Sequence, residues 1–114
     1  MEWSWNMPIL KFNAIRSSDV KTFSKALVDE LQKITGSPRE YFTLEVTNSV
    51  YITDGTEAEG PPIVEVGWFD RGQELQDMAA KAITRHVKSA GYQNVDVIFT
   101  IFREASYYEN GNHF

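Results

Sequence analysis

The chain has 114 residues, 42% of them hydrophobic, which suits one folded domain and excludes a disordered chain. Its 11 basic and 16 acidic residues leave a net charge of −5 with no basic stripe, which argues against a nucleic-acid partner. With no cysteine, two histidines and no apolar run near the ~20 residues of a membrane span, neither a disulfide, a metal site, a cofactor nor a membrane partner is expected.

Residues 1–7 read as an N-terminal extension and 8–114 as the domain. The extension has neither the basic region nor the apolar stretch of a signal peptide, so the cytoplasm is the expected location. Its two tryptophans, Trp3 and Trp5, suit a segment that covers a pocket or lengthens a sheet edge.

Ile9 to Ala14 reads as a strand. Arg16 leads into a helix, with Ser17 or Ser18 as N-cap and Asp19 in the first turn. Val20, Phe23, Leu27, Leu31 and Ile34 form one apolar stripe; Gly36 and Pro38 end the helix. Tyr41 to Ile52 is β-rich, with Phe42, Leu44 and Val46 alternating with Thr43, Glu45 and Thr47. Thr53 to Pro62, with Asp54-Gly55, predicts a loop or hairpin and a site rim. Ile63 to Phe69 is a third strand. Asp70 is the expected cap of a second helix, with Gln73 at the capping-box position. Leu75, Met78, Ala79, Ala82, Ile83 and Val87 form its stripe, and Gly91 closes it. Val95 to Phe102, apolar on both faces, predicts a fourth strand at the sheet centre. The aromatic tail from Arg103 to Phe114 is expected to pack on a neighbouring subunit.

The halves match. Arg16, Val20, Phe23, Leu27 and Gly36 align with Arg71, Leu75, Met78, Ala82 and Gly91 at an offset of 55. Pro8 aligns with Pro62 at an offset of 54. The repeat runs from about 8 to 52 and from 62 to 106. The expectation is an α/β, two-layer α+β fold: two tandem β-α-β units, a four-stranded mixed sheet and two helices on one face. Parallel pairing is expected within each unit. An unrelated ferredoxin-like domain, with antiparallel neighbours within each half, is the competing fold. With nothing left to cover the second sheet face, a homo-oligomer follows.

Short motifs then resemble the tautomerase superfamily. Met7-Pro8-Ile9-Leu10 is similar to the family's start, where methionine is removed and proline becomes the terminus. Ile34-Thr35-Gly36-Ser37-Pro38-Arg39-Glu40-Tyr41 resembles a junction of the macrophage migration inhibitory factor branch. Arg16-Ser17-Ser18-Asp19 resembles one of the 4-oxalocrotonate tautomerase branch. Trp68-Phe69-Asp70-Arg71 and the tail match neither branch, which implies an uncharacterised one. The resemblance implies a homotrimer and keto–enol proton transfer on a small 2-keto acid by Pro8. Arg16, Arg71 and Arg103 would bind its carboxylate, with Tyr107 on the pocket wall. Arg16 is the foremost of these, from its match to the 4-oxalocrotonate branch.

The residues alone set conditions on that chemistry. Only a free proline amine is a base; an internal proline nitrogen is not. The competing function is a non-catalytic oligomeric protein of the same fold, binding a ligand or a protein partner. Ser37, where the inhibitory-factor branch carries lysine, favours that alternative, as does Ile98 in place of a polar residue on the last strand.

Overall fold

A computed structural model of the chain describes residues 8–114, so the extension and its expected covering role lie outside the described residues. Strand β1 (Ile9–Asn13) alternates across the sheet, burying Leu10 and Phe12 while Lys11 stays exposed. It feeds α1 (Ser17–Thr35), whose buried Val20, Phe23, Leu27 and Leu31 form the expected stripe, and Gly36 ends it in a left-handed conformation. A turn of 3-10 helix (Arg39–Tyr41) leads to β2 (Thr43–Thr47), which pairs parallel with β1. Strands β3 (Tyr51–Thr53) and β4 (Thr56–Ala58) form the expected hairpin over Asp54-Gly55. The pattern then recurs: β5 (Ile63–Phe69), α2 (Gln73–Ser89) and β6 (Asp96–Phe102), with β6 parallel to β5. A small hairpin of β7 (Tyr108–Glu109) and β8 (Asn112–His113) follows.

The four-stranded sheet runs β2-β1-β5-β6, and β1 pairs antiparallel with β5. Each unit is thus internally parallel, and the two units run head to tail. This excludes the ferredoxin-like alternative. Both helices cover one face, where Leu10, Phe12, Val64, Val66 and Trp68 meet Phe23, Leu27, Ala82, Ile83 and Val87. Each large side chain in this layer stabilises the fold by about 1.5–3 kcal/mol. On the other face Lys11 lies in register between Glu45 and Glu65, all three exposed.

Several expectations are corrected. The N-cap of α1 is Arg16, and Ser17 and Ser18 lie inside the first turn. The start of the helix is set from a distance, because the Arg16 N–H donates to the Tyr92 hydroxyl (2.9 Å). The N-cap of α2 is Gly72, at φ 88°, and Gln73 is the first helical residue. Asp70 still acts on the turn, since its Oδ1 accepts from the Gly72 N–H (2.9 Å). Gly72 supplies the positive φ of this turn, which glycine adopts without strain. Strand β6 is at an edge, not the centre. The antiparallel meeting of the two units puts each unit's first strand inside and its second outside. Ile98 and Ile101 of β6 are accordingly 51% and 42% exposed. The β-rich Tyr41–Ile52 segment holds β2 and the start of β3, with a break between them. Met78 is exposed rather than part of the buried stripe. The tail packs on its own chain, with the rings of Tyr107 and Phe114 lying 5.5 and 5.9 Å from Phe69.

Candidate functional site

The register decides which predicted residues meet. Ile9 stands opposite Gly67, so Pro8 lies at the sheet end where β5 finishes. Strand β6, parallel to β5, brings Phe102 beside Phe69 at that same end. Pro8, Arg71, Arg103 and Tyr107 therefore share one pole. Arg16 follows the far end of β1, a strand roughly 16 Å long, and sits at the opposite pole. Within one chain, Pro8 and Arg16 do not come together.

At the first pole the Pro8 side chain is fully buried, and its carbonyl accepts the Thr43 N–H (3.1 Å). The Arg71 guanidinium lies over the Trp68 ring, 5.2 Å from its centre. Burial lowers the Arg71 pKa from its ordinary value, because the charged form loses hydration. Arg71 Nε and Trp68 Nε1 are both buried donors with no partner among the described residues. An unpaired buried donor carries a desolvation cost, so this pair of donors is suited to an anion. Arg103 is exposed and opens a turn of 3-10 helix (Glu104–Ser106). Tyr107 is half-buried, stacked on Phe114 at 5.0 Å and beside Phe102 at 5.6 Å. On the open sheet face nearby is a hollow of about 260 Å³ between Ile9, Lys11, Gly67, Thr100 and Phe102. Ser37 is buried, and its N–H donates to Thr35 Oγ1 (3.2 Å).

At the second pole a cleft of about 600 Å³ opens beside Arg16, rimmed by the β3–β4 hairpin. Tyr92 organises it. The Tyr92 hydroxyl donates to Asp19 Oδ2 (2.6 Å), which also accepts from Arg16 Nε (3.2 Å). Burial first, and then the Asp19 carboxylate, raise the Tyr92 pKa above the usual phenol value. The Arg16–Asp19 spacing was readable in the sequence as an i,i+3 pair. Tyr92 was not, since it lies 76 residues from Arg16. The Arg71–Trp68 stack was also missed; Trp68 is buried as core, with its ring 5.0 Å from Phe99. No group of three or more metal-ligating side chains occurs among the described residues.

The doubled β-α-β layer with two helices on one face is the fold of the tautomerase superfamily. A macrophage migration inhibitory factor-like protein from Entamoeba histolytica shares it at 15% identity and TM-score 0.70, over 94% of this chain and 98% of that one. A fused 4-OT, F6, solved as an asymmetric trimer, shares it at 10% identity and TM-score 0.76, over 92% of this chain and 94% of that one. Residues 7–113 match the family described as a domain of unknown function, DUF1904, and the chain belongs to that family. The crystal structure of a DUF1904 protein from Sebaldella termitidis is 34% identical, with TM-score 0.85, over 95% of this chain and all of that one. No curated protein matches the chain.

Proposed function

We propose that this protein is a tautomerase that interconverts the enol and keto forms of a small 2-oxo acid at the Pro8 pole. The observation that carries the reading is the grouping of Pro8 with the desolvated Arg71 guanidinium, whose Nε has no partner among the described residues. The family match begins at Met7, which fits a translation start at Met7 followed by removal of that methionine to free the Pro8 amine. A free α-amine titrates at ~7.7–8.0 in model compounds. Apolar surroundings and a nearby guanidinium both disfavour its charged form, so the neutral amine serves as base near neutral pH. It takes the enol hydroxyl proton, and the same ammonium returns a proton to the adjacent carbon, giving the ketone. Arg71, assisted by Arg103, pairs with the substrate carboxylate, and Tyr107 walls the site. A homotrimer completes the reading: the fused 4-OT structures are trimers, and the Lys11, Glu45, Glu65 face would turn inward.

The test is a protein whose intact mass shows Pro8 as the first residue, assayed for conversion of enol-phenylpyruvate. Turnover that vanishes when a residue is left in front of Pro8 supports the reading. An inactive protein with a verified Pro8 terminus overturns it. That outcome favours the non-catalytic alternative, for which Ser37 in place of the inhibitory-factor lysine, and buried, is the supporting observation.

A further inference from the structure

We propose that the cleft at the Arg16 pole is a second binding site, for a small carboxylate that also carries a hydrogen-bond donor. The cleft stands apart from the Pro8 pole, so the inference does not rest on the tautomerase reading. Its volume, about 600 Å³, is in the range of small-molecule sites. Four separate segments build it: the β1–α1 junction, the β2–β3 connection, the β4–β5 connection and the α2–β6 loop. Walls drawn from four packed segments make a pre-formed hollow rather than a fold in one loop.

The chemistry follows from the side chains. Arg16 is held in place through its backbone N–H on Tyr92, its Nε on Asp19, and the Tyr92 ring 5.7 Å from its guanidinium carbon. Its terminal nitrogens have no acceptor among the described residues, and the side chain is 75% exposed. A guanidinium so fixed, with two donors uncommitted, suits a carboxylate. Ser49 and Asn94 add neutral polar groups to the wall, and Glu59 adds an acceptor. A second carboxylate on the ligand would meet Glu59 unfavourably, whereas a hydroxyl or ammonium would bond to it. The ligand is therefore of the hydroxy-acid or amino-acid class. Ala14, at the same cleft, holds a left-handed backbone at φ 60°. Such a conformation is strained for a non-glycine residue, and strain of this kind gathers at binding sites.

Pro62 shows why this cleft would bind without reacting. It lines the cleft and is the repeat counterpart of Pro8. Its nitrogen lies in an internal peptide bond and offers neither a base nor a proton.

The experiment follows backbone amide resonances of the isotope-labelled chain during titration with phenyllactate or phenylalanine. Phenylethanol, which lacks the carboxylate, is the control. At least one acid is expected to shift the amides of Arg16, Ser49, Tyr92 and Asn94 saturably, with a Kd of about 1 mM or tighter. The better of the two identifies the donor that Glu59 accepts. Arg16→Ala weakens binding about tenfold. Asn94→Asp, at an exposed loop position compatible with folding, weakens it in the same direction by adding a negative charge. The inference is overturned if neither acid shifts these amides, if phenylethanol shifts them equally, or if both variants bind like the unmodified chain.

Discussion

Glu30 and Arg85 face each other across the two helices in a two-pronged pair, Arg85 Nη1 and Nη2 donating to the two Glu30 oxygens at 2.8 and 2.9 Å. They are 55 residues apart, the same offset that aligns the two halves of the chain. A position that meets its own repeat counterpart lies on the local two-fold relating the halves. In two identical halves such a position would set like charge against like. A single chain permits opposite charges there, and Lys11 against Glu65, also repeat counterparts, shows the same device on the sheet. The Glu30 carboxylate also contacts His86 Nε2 at 3.0 Å, tying α2 to α1 a second time.

The Glu30 pair makes stability depend on acid. Arg85, mainly through its hydrogen bonds, lowers the Glu30 pKa from 4.5 to about 2. A depressed folded-state pKa stabilises the fold above the unfolded value, and that contribution is lost as pH falls from 4.5 through about 2. Solvent screening of this partly exposed group limits the effect to about 1 kcal/mol. Urea unfolding across this range should show a steeper loss for the unmodified chain than for Glu30→Gln. Parallel pH profiles would contradict the assignment.

Gly67 sets the shape of the open sheet face next to Pro8. A side chain there would run into the Phe102 ring. That ring is itself packed against Phe69 at 6.0 Å and Tyr107 at 5.6 Å, so it has little room to move. Gly67→Ala is expected to destabilise by about 1–3 kcal/mol. Adding Phe102→Leu should recover part of that loss, because a smaller side chain clears the clash. Thermal unfolding of the two variants and the double variant checks this; additive losses would rule it out.

Much of the architecture was legible because it rests on local patterns. The stripe from Val20 to Leu31 and the alternation around Leu44 each require a helix or a strand wherever the rest of the chain goes. What the sequence hid was decided by distant partners. The cap at Arg16 depends on Tyr92, and the edge position of β6 depends on β1 and β5 meeting antiparallel. The opposition of Pro8 and Arg16 was latent in the sequence, since residues at the two ends of one strand cannot share a site within one chain. The family resemblance drew attention to Arg16, and only the register showed that Arg71 and Arg103 are the arginines at the Pro8 pole.

Tyr92 carries a second pH signature, at the alkaline end. Burial and the Asp19 carboxylate raise its pKa, so the folded state favours the neutral phenol. Its stabilising effect is complete below the ordinary value of 10.0 and is lost as pH rises through the folded-state value. A phenolate absorbance titration should therefore show one late-titrating tyrosine that disappears in Tyr92→Phe. The same variant removes the acceptor for the Arg16 N–H and should cost about 1 kcal/mol. A titration curve that merely scales down from five tyrosines to four, with no late component lost, would refute this.

Arg71 offers the sharpest distinction between a binding group and a packing group. Its guanidinium is partly desolvated, and its Nε is buried without an acceptor among the described residues. A side chain kept only for stability would not be left so, because an apolar replacement of similar length avoids the desolvation cost. Arg71→Met is therefore expected to raise stability by about 0.5–1 kcal/mol while lowering kcat/KM for a 2-oxo acid by about 100-fold. Arg71→Lys keeps the charge but not the planar fork or the stack on Trp68, so it should restore little of that activity. Unfolding midpoints and kinetics on the same preparations separate the two roles. If Arg71→Met is both less stable and fully active, Arg71 serves the fold and the Pro8 pole lacks its carboxylate partner.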